Sequence, residues 1–114
     1  MGAGLSKNRI KGLSASVDQN SAVLILGTLP GRMSLTYGKY YADPSNKFWD
    51  ILFIACGEKI DKTDQGKKQL LEKYHIALWD ILYSAVRKTS NDKDISDETP
   101  NNLPLFLSQY PNIK

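Results

Sequence analysis

The chain has 114 residues, enough for one small domain, and 41% of them are apolar, which excludes a disordered or low-complexity class. It carries 15 Lys and Arg against 12 Asp and Glu, and the resulting net charge of +3 permits a polyanionic partner without requiring one. A single cysteine, Cys56, excludes a disulfide framework or a cysteine metal cluster and suits a reducing, cytoplasmic compartment; no apolar run reaches the ~18 residues of a membrane span.

Residues 1–20 are polar and weakly patterned and read as a loose N-terminal arm. Ser21–Gly27 (SAVLILG) is a short apolar run closed by glycine, the pattern of a buried strand in a parallel sheet. Thr28–Arg32 (TLPGR) is a turn, because Pro30 fixes its φ and Gly31 tolerates what other residues do not. Residues 32–45 read as loop. Nearly every residue from Phe48 to Cys56 is apolar, so a buried helix is expected there, with Ser45 or Asn46 as N-cap and Gly57 as its stop. A polar linker over residues 59–66 leads to a short helix ending at Tyr74, with Gly66 near its start. Ile76–Trp79 is a second strand, which breaks at Asp80 into a turn or helix extending through Tyr83–Lys88. Residues 89–102 form a long polar loop, Leu103–Gln109 a last helix, and the final residues lead toward another strand. Strands separated by helices indicate an α/β class with a parallel sheet.

Open α/β sheets bind ligands beyond the carboxyl ends of their strands. The turn after the first strand lies there, and so does Asp80 after the second. The turn lacks both the glycine pattern of a dinucleotide site and the lysine of a phosphate loop, so alone it is as consistent with a plain tight turn. Tyr37, Tyr40 and Tyr41 could cover the helix that begins at Phe48, or a ring could stack on a nucleobase. Asn46 has two readings, helix cap or donor and acceptor toward a ligand. Asp43 and Asp80 are carboxylates that could equally be a cap or a surface charge, and His75, the lone histidine, fits a structural role best. No Ser-His-Asp set, metal set or paired glutamates can be assembled.

Taken together, Gly27-Thr28-Leu29-Pro30-Gly31, Ser34-Leu35 and Tyr40-Tyr41-Ala42-Asp43-Pro44-Ser45-Asn46-Lys47-Phe48-Trp49 resemble the first motif region of the uracil-DNA glycosylase superfamily. The details are most similar to the hypoxanthine (deoxyinosine) DNA glycosylase branch, with the mismatch-specific uracil glycosylases next. The similarity extends through Leu78-Trp79-Asp80-Ile81-Leu82, Arg87 and the last fifteen residues, so it runs over residues 11–114. It implies a three-layer α/β/α domain around a four-stranded parallel sheet, of which residues 21–114 would form the N-terminal part. It also implies removal of a deaminated base, hypoxanthine or uracil, from damaged DNA with no metal or cofactor. By position, Gly27, Thr28, Leu29, Pro30 and Gly31 would line the base pocket and Tyr41 would stack on the flipped base. Asn46 would contact the base or place the attacking water. Leu29 stands where other branches carry a water-activating Asp or Asn, which shifts that task to Asn46. The family's second motif, a Ser-rich loop, would follow further strands beyond Lys114. The resemblance therefore implies weak or absent excision by this polypeptide alone, and self-association through an exposed sheet edge. The competing expectation is a non-catalytic nucleotide- or nucleic-acid-binding α/β module, or a structural fragment.

Overall fold

The computed structural model describes residues 9–87 and 92–114. Their elements run β1 (Arg9–Lys11), β2 (Val23–Gly27), α1 (Arg32–Tyr37), α2 (Phe48–Ala55), α3 (Asp64–Tyr74), β3 (Ile76–Asp80), β4 (Leu82–Arg87), β5 (Ile95–Pro100) and α4 (Leu103–Gln109). β2 and β3 form the expected parallel pair, in register from Val23 opposite Ile76 to Gly27 opposite Asp80. Successive strand residues face opposite sides, and this builds three layers. On one face Ile25, Ile76 and Leu78 pack against Trp49 and Phe53 of α2 and Leu70 of α3. On the other, Trp79 stacks on Phe106 of α4 with ring centroids 4.4 Å apart. The architecture is mixed α/β, as the strand–helix alternation indicates.

The helix ends follow local chemistry. Asn46 Oδ1 accepts from the Phe48 N–H at 2.8 Å, with Lys47 between them in the cap position of α2. At the other end Gly57 takes φ 71°, and the N–H groups of Gly57 and Glu58 return to the carbonyls of Ile54 and Phe53, the paired bonds of a left-handed helix stop. α3 starts earlier than expected because Thr63 Oγ1 accepts from the Gly66 N–H at 3.0 Å, which turns part of the supposed linker into a first turn. His75 ends α3 at φ 57°, and its carbonyl accepts from Ala22 and Val23, which fixes where β2 begins.

Four expectations need correction. Residues 32–37 are helix α1 rather than loop, bounded by Gly31 and by Gly38 in the left-handed region. Residues 82–87 are strand rather than turn or helix, and 95–100 are strand rather than loop; of the long loop, residues 89–91 lie outside the described residues, as does Lys88. β1 pairs with β4, and Ser16 bridges Leu78 on β3, so the described part of the N-terminal arm is tied into the fold. β1, β4 and β5 thus make a second, antiparallel sheet that the sequence did not lead us to expect. Leu29, Leu82 and Ala85, with Ile10 and Ile95 beside them, form its core. After α4 the Lys114 N–H donates to the Ala22 carbonyl at 3.4 Å, beside the start of β2. Among the described residues no helix is long and apolar enough to cross a membrane.

Hydrogen-bonded surface carboxylates are expected to make the fold acid-sensitive. Glu58 accepts from the Tyr74 hydroxyl and from Lys73 Nζ, which holds its carboxyl below the usual range. Hydrogen bonds from Lys62, Ser45 and Thr63 do the same for Asp50, Asp43 and Asp61. A carboxyl whose folded pKa lies below its unfolded one stabilises fully above the unfolded value, about 4, and loses that contribution as pH falls through the folded value. Melting temperature is therefore expected to hold above about pH 5 and to drop below about pH 4, with a shallower drop in Glu58→Gln. Melting curves across that range check this; an equal acid drop in the variant would show that Glu58 contributes nothing.

Candidate functional site

β2 and β3 end side by side at Gly27 and Asp80. Past that edge the Ile81 N–H donates to the Gly27 carbonyl at 2.9 Å and the Leu82 N–H to the Thr28 carbonyl at 3.1 Å, so the link between β3 and β4 braces the turn that leaves β2. Gly27, Thr28, Leu29, Pro30, Gly31, Tyr41 and Asn46, the residues singled out from sequence, all line one cleft of about 710 Å³, together with Asp43 and Asp80. A separate groove of about 450 Å³ between residues 14–18 and α3 shares Tyr40 with this cleft but none of those residues.

Each wall has its own cause. At Gly27 a Cβ would lie 2.5 Å from Asp80 Oδ1 and 3.4 Å from the Tyr41 hydroxyl, so glycine alone lets strand, carboxylate and phenol meet there. Leu29 and Pro30 are buried, and the Leu29 side chain packs against Leu82 and Ala85, which anchors the turn to the antiparallel sheet. Buried Ser34 holds the next wall, its Oγ accepting from the Ala42 N–H at 3.2 Å.

The two adjacent tyrosines have different jobs. Tyr40 is fastened to the frame: its hydroxyl donates to the Ser14 carbonyl at 2.9 Å and its own carbonyl accepts from Trp49 Nε1 at 3.1 Å. Tyr41 turns into the cleft with φ 54°, a left-handed conformation that costs a bulky residue about 1–3 kcal/mol and persists only when its surroundings impose it. Its ring stacks on Phe48 at 3.7 Å and 15°, and Phe48 meets Trp49 edge-on at 5.3 Å. Burial, and secondly the charge of Asp80, push the hydroxyls of both tyrosines above their ordinary pKa, so they stay protonated at neutral pH. Tyr37 is exposed at the end of α1 and does not line the cleft.

Asn46 lines the cleft, and its Oδ1 accepts from the Phe48 N–H at the start of α2, which leaves Nδ2 as the donor of its amide. Asp43 organises the same corner: its Oδ1 accepts from Ser45 N–H at 2.9 Å and Oγ at 2.8 Å, and these bonds hold its carboxyl below the usual range. Asp80 is 4% exposed at the end of β3. The sequence left it as a candidate carboxylate, a cap or a surface charge; its burial opposite Gly27 excludes the surface charge. Among the described residues no three His, Cys, Asp or Glu side chains group as a metal set. The cleft offers an aromatic face, an amide donor, carboxylate acceptors and a backbone turn, the complement of a flat, polar-edged ring.

The fold and sequence are similar to those of known proteins. Residues 15–114 match the model of the uracil DNA glycosylase superfamily. The chain is 33% identical over 105 residues to a hypoxanthine DNA glycosylase from Methanosarcina barkeri and, at the same identity and length, to one from Methanosarcina acetivorans; each match covers 91% of this chain and 66% of the relative. A solution NMR structure of a candidate uracil DNA glycosylase from Methanosarcina acetivorans superposes with a TM-score of 0.81 at 33% identity, covering 93% of this chain and 66% of that one. The chain thus spans 66% of the length of these relatives.

Proposed function

Because the chain belongs to the uracil DNA glycosylase superfamily, we propose that its cleft receives a deaminated base, hypoxanthine or uracil, flipped out of damaged DNA, and serves hydrolysis of the base's N-glycosidic bond. The observation that carries this reading is the convergence of the Gly27–Gly31 turn, Tyr41, Asn46 and Asp80 on one cleft at the carboxyl ends of two parallel strands. Flipping costs a few kcal/mol and least for a mismatched base; stacking on an aromatic ring returns about 1–3 kcal/mol. Tyr41 supplies that ring, already held in place by Phe48, so little order must be gained on binding.

The bond breaks toward an anionic base and a cation-like sugar. In this reading Asn46 Nδ2 donates to the negative charge developing on the base, while its Oδ1, held at the start of α2, fixes the direction of the donor. Asp80 selects the substrate. Deamination converts a ring nitrogen from acceptor to N–H donor, at N1 of adenine and at N3 of cytosine. A carboxylate can only accept, so it favours the deaminated base of either pair. Hypoxanthine and uracil share this edge, which is why one cleft suits both.

Excision from duplexes containing deoxyinosine or deoxyuridine tests the proposal. Asn46→Ala is expected to slow bond cleavage about 10²–10³-fold, and Tyr41→Ala to weaken binding of the damaged duplex about tenfold. Binding of free bases with no affinity for a lesion-bearing duplex would reduce the cleft to a nucleotide-binding module. Unchanged cleavage in Asn46→Ala would remove Asn46 from the reaction.

A further inference from the structure

Behind the turn, outside the cleft, sits a buried cation. Arg87, the last residue of β4, is 4% exposed, and its guanidinium donates through Nη1 to the Leu29 carbonyl at 3.4 Å and through Nη2 to the Pro30 carbonyl. It does not line the cleft, and it meets the cleft's lining through the carbonyls of the turn. A buried charge brings a desolvation cost that an apolar residue in this core would avoid, so packing alone does not account for it.

Peptide geometry gives the contact a direction. No peptide bond in the described chain is cis. In a trans peptide the C=O and N–H point opposite ways. The Pro30 carbonyl shares its peptide group with the Gly31 N–H, so a carbonyl aimed at Arg87 turns that N–H away from Arg87. Gly31 lines the cleft. A cation on a carbonyl also polarises the peptide and strengthens its own N–H as a donor. The Leu29 carbonyl shares its peptide with Pro30 and carries no N–H, so there the guanidinium acts only as a clamp. Its planar fork holds two successive carbonyls at once, which a lysine ammonium does less well.

We propose that Arg87 is a positioning residue for the base-excision reaction: it locks the Leu29–Gly31 turn from behind and makes the Gly31 N–H a stronger donor to the departing base. This rests on the glycosylase reading, and its test separates the two. In single-turnover assays at saturating enzyme, Arg87→Met lowers the cleavage rate about 100-fold, the scale of a misplaced reacting group, while affinity for a duplex carrying an abasic-site analogue stays within about threefold. Arg87→Lys, which keeps the charge and loses the fork, lies between the two. In amide spectra of the chain, the Gly31 N–H signal moves upfield in both variants by more than that of Gly27. A folded Arg87→Met that cleaves at the unaltered rate overturns the proposal. So does a loss in which rate, affinity and melting temperature fall in parallel, since that marks a purely structural arginine. If the unaltered chain binds lesion-bearing duplex but excises neither lesion, an unmoved Gly31 signal overturns the role of Arg87; if it binds no such duplex, the glycosylase reading fails by itself. Should Arg87→Met not fold, the lysine variant and the Gly31 signal decide.

Discussion

Trp49→Ala is expected to destabilise the chain by about 3–5 kcal/mol, the range for removing a buried large aromatic. Trp49 is 4% exposed and belongs to the cluster with Phe53, Leu70 and Leu78 that joins both helices to the parallel pair. Whole domains of this kind are stable by only about 5–15 kcal/mol, so the variant would sit near the folding threshold. The indole does more than fill space. Its Nε1 holds the Tyr40 carbonyl at 3.1 Å, its ring meets Phe48 edge-on, and Lys67 Nζ lies 5.1 Å over its face. Trp49→Phe keeps most of the apolar contact and leaves the Tyr40 carbonyl without that donor, for a loss of about 1–3 kcal/mol. Tyr41 is the next residue and occupies a strained left-handed conformation imposed by its surroundings. The phenylalanine variant should therefore lose duplex binding to a greater degree than its stability loss explains. Urea unfolding read at constant slope measures the first effect and duplex affinity the second. A cost below about 1 kcal/mol for Trp49→Ala would mean that the core closes over the gap.

The parallel pair and α2 were legible because their signals are local. Val-Leu-Ile-Leu-Gly and Ile-Ala-Leu-Trp are short apolar runs, and nine mostly apolar residues before Gly57 match a buried helix with a glycine stop. The antiparallel sheet was not legible. β5 reads Ile-Ser-Asp-Glu-Thr-Pro, an edge strand with all but its first residue exposed, so no apolar periodicity marks it. β4 carries two register irregularities against β5, which break the alternation that would have identified it. α1 is six residues long, with no side-chain cap and no acidic first turn; its only marks are the glycines on either side. The cleft was legible in its motif residues and not in its supports. Asp80 and Arg87 act across 53 and 57 residues of sequence, on Gly27 and Pro30, and only strand pairing brings them there.

Asp80→Asn is expected to erase the preference for deaminated bases. A hydrogen bond to a charged group contributes about 1.5–3 kcal/mol, so free hypoxanthine should bind the unaltered cleft roughly 10- to 100-fold better than adenine, and the two should bind within a few-fold of each other in the variant. The reason is the donor inventory: a carboxylate meets N1–H of hypoxanthine and repels the bare N1 of adenine, while an amide can turn either its oxygen or its nitrogen to the ring. Selectivity is the correct readout, because a carboxylate near a departing anion opposes the cleavage step even as it chooses the substrate. Its removal can leave the rate of bond breaking high while discrimination is lost. Two further observations fix the cause. The charge of Asp80 adds to burial in raising the hydroxyls of Tyr40 and Tyr41, so both should titrate at lower pH in Asp80→Asn, burial still holding them above the ordinary tyrosine value. Gly27→Ala places a methyl 2.5 Å from the present Oδ1 position and must displace the carboxylate without removing its charge. It should lose discrimination as Asp80→Asn does, because an acceptor that has moved off the ring edge reads nothing. Retained selectivity in Asp80→Asn would place base choice elsewhere in the cleft; retained selectivity in Gly27→Ala alone would show that the carboxylate tolerates the displacement.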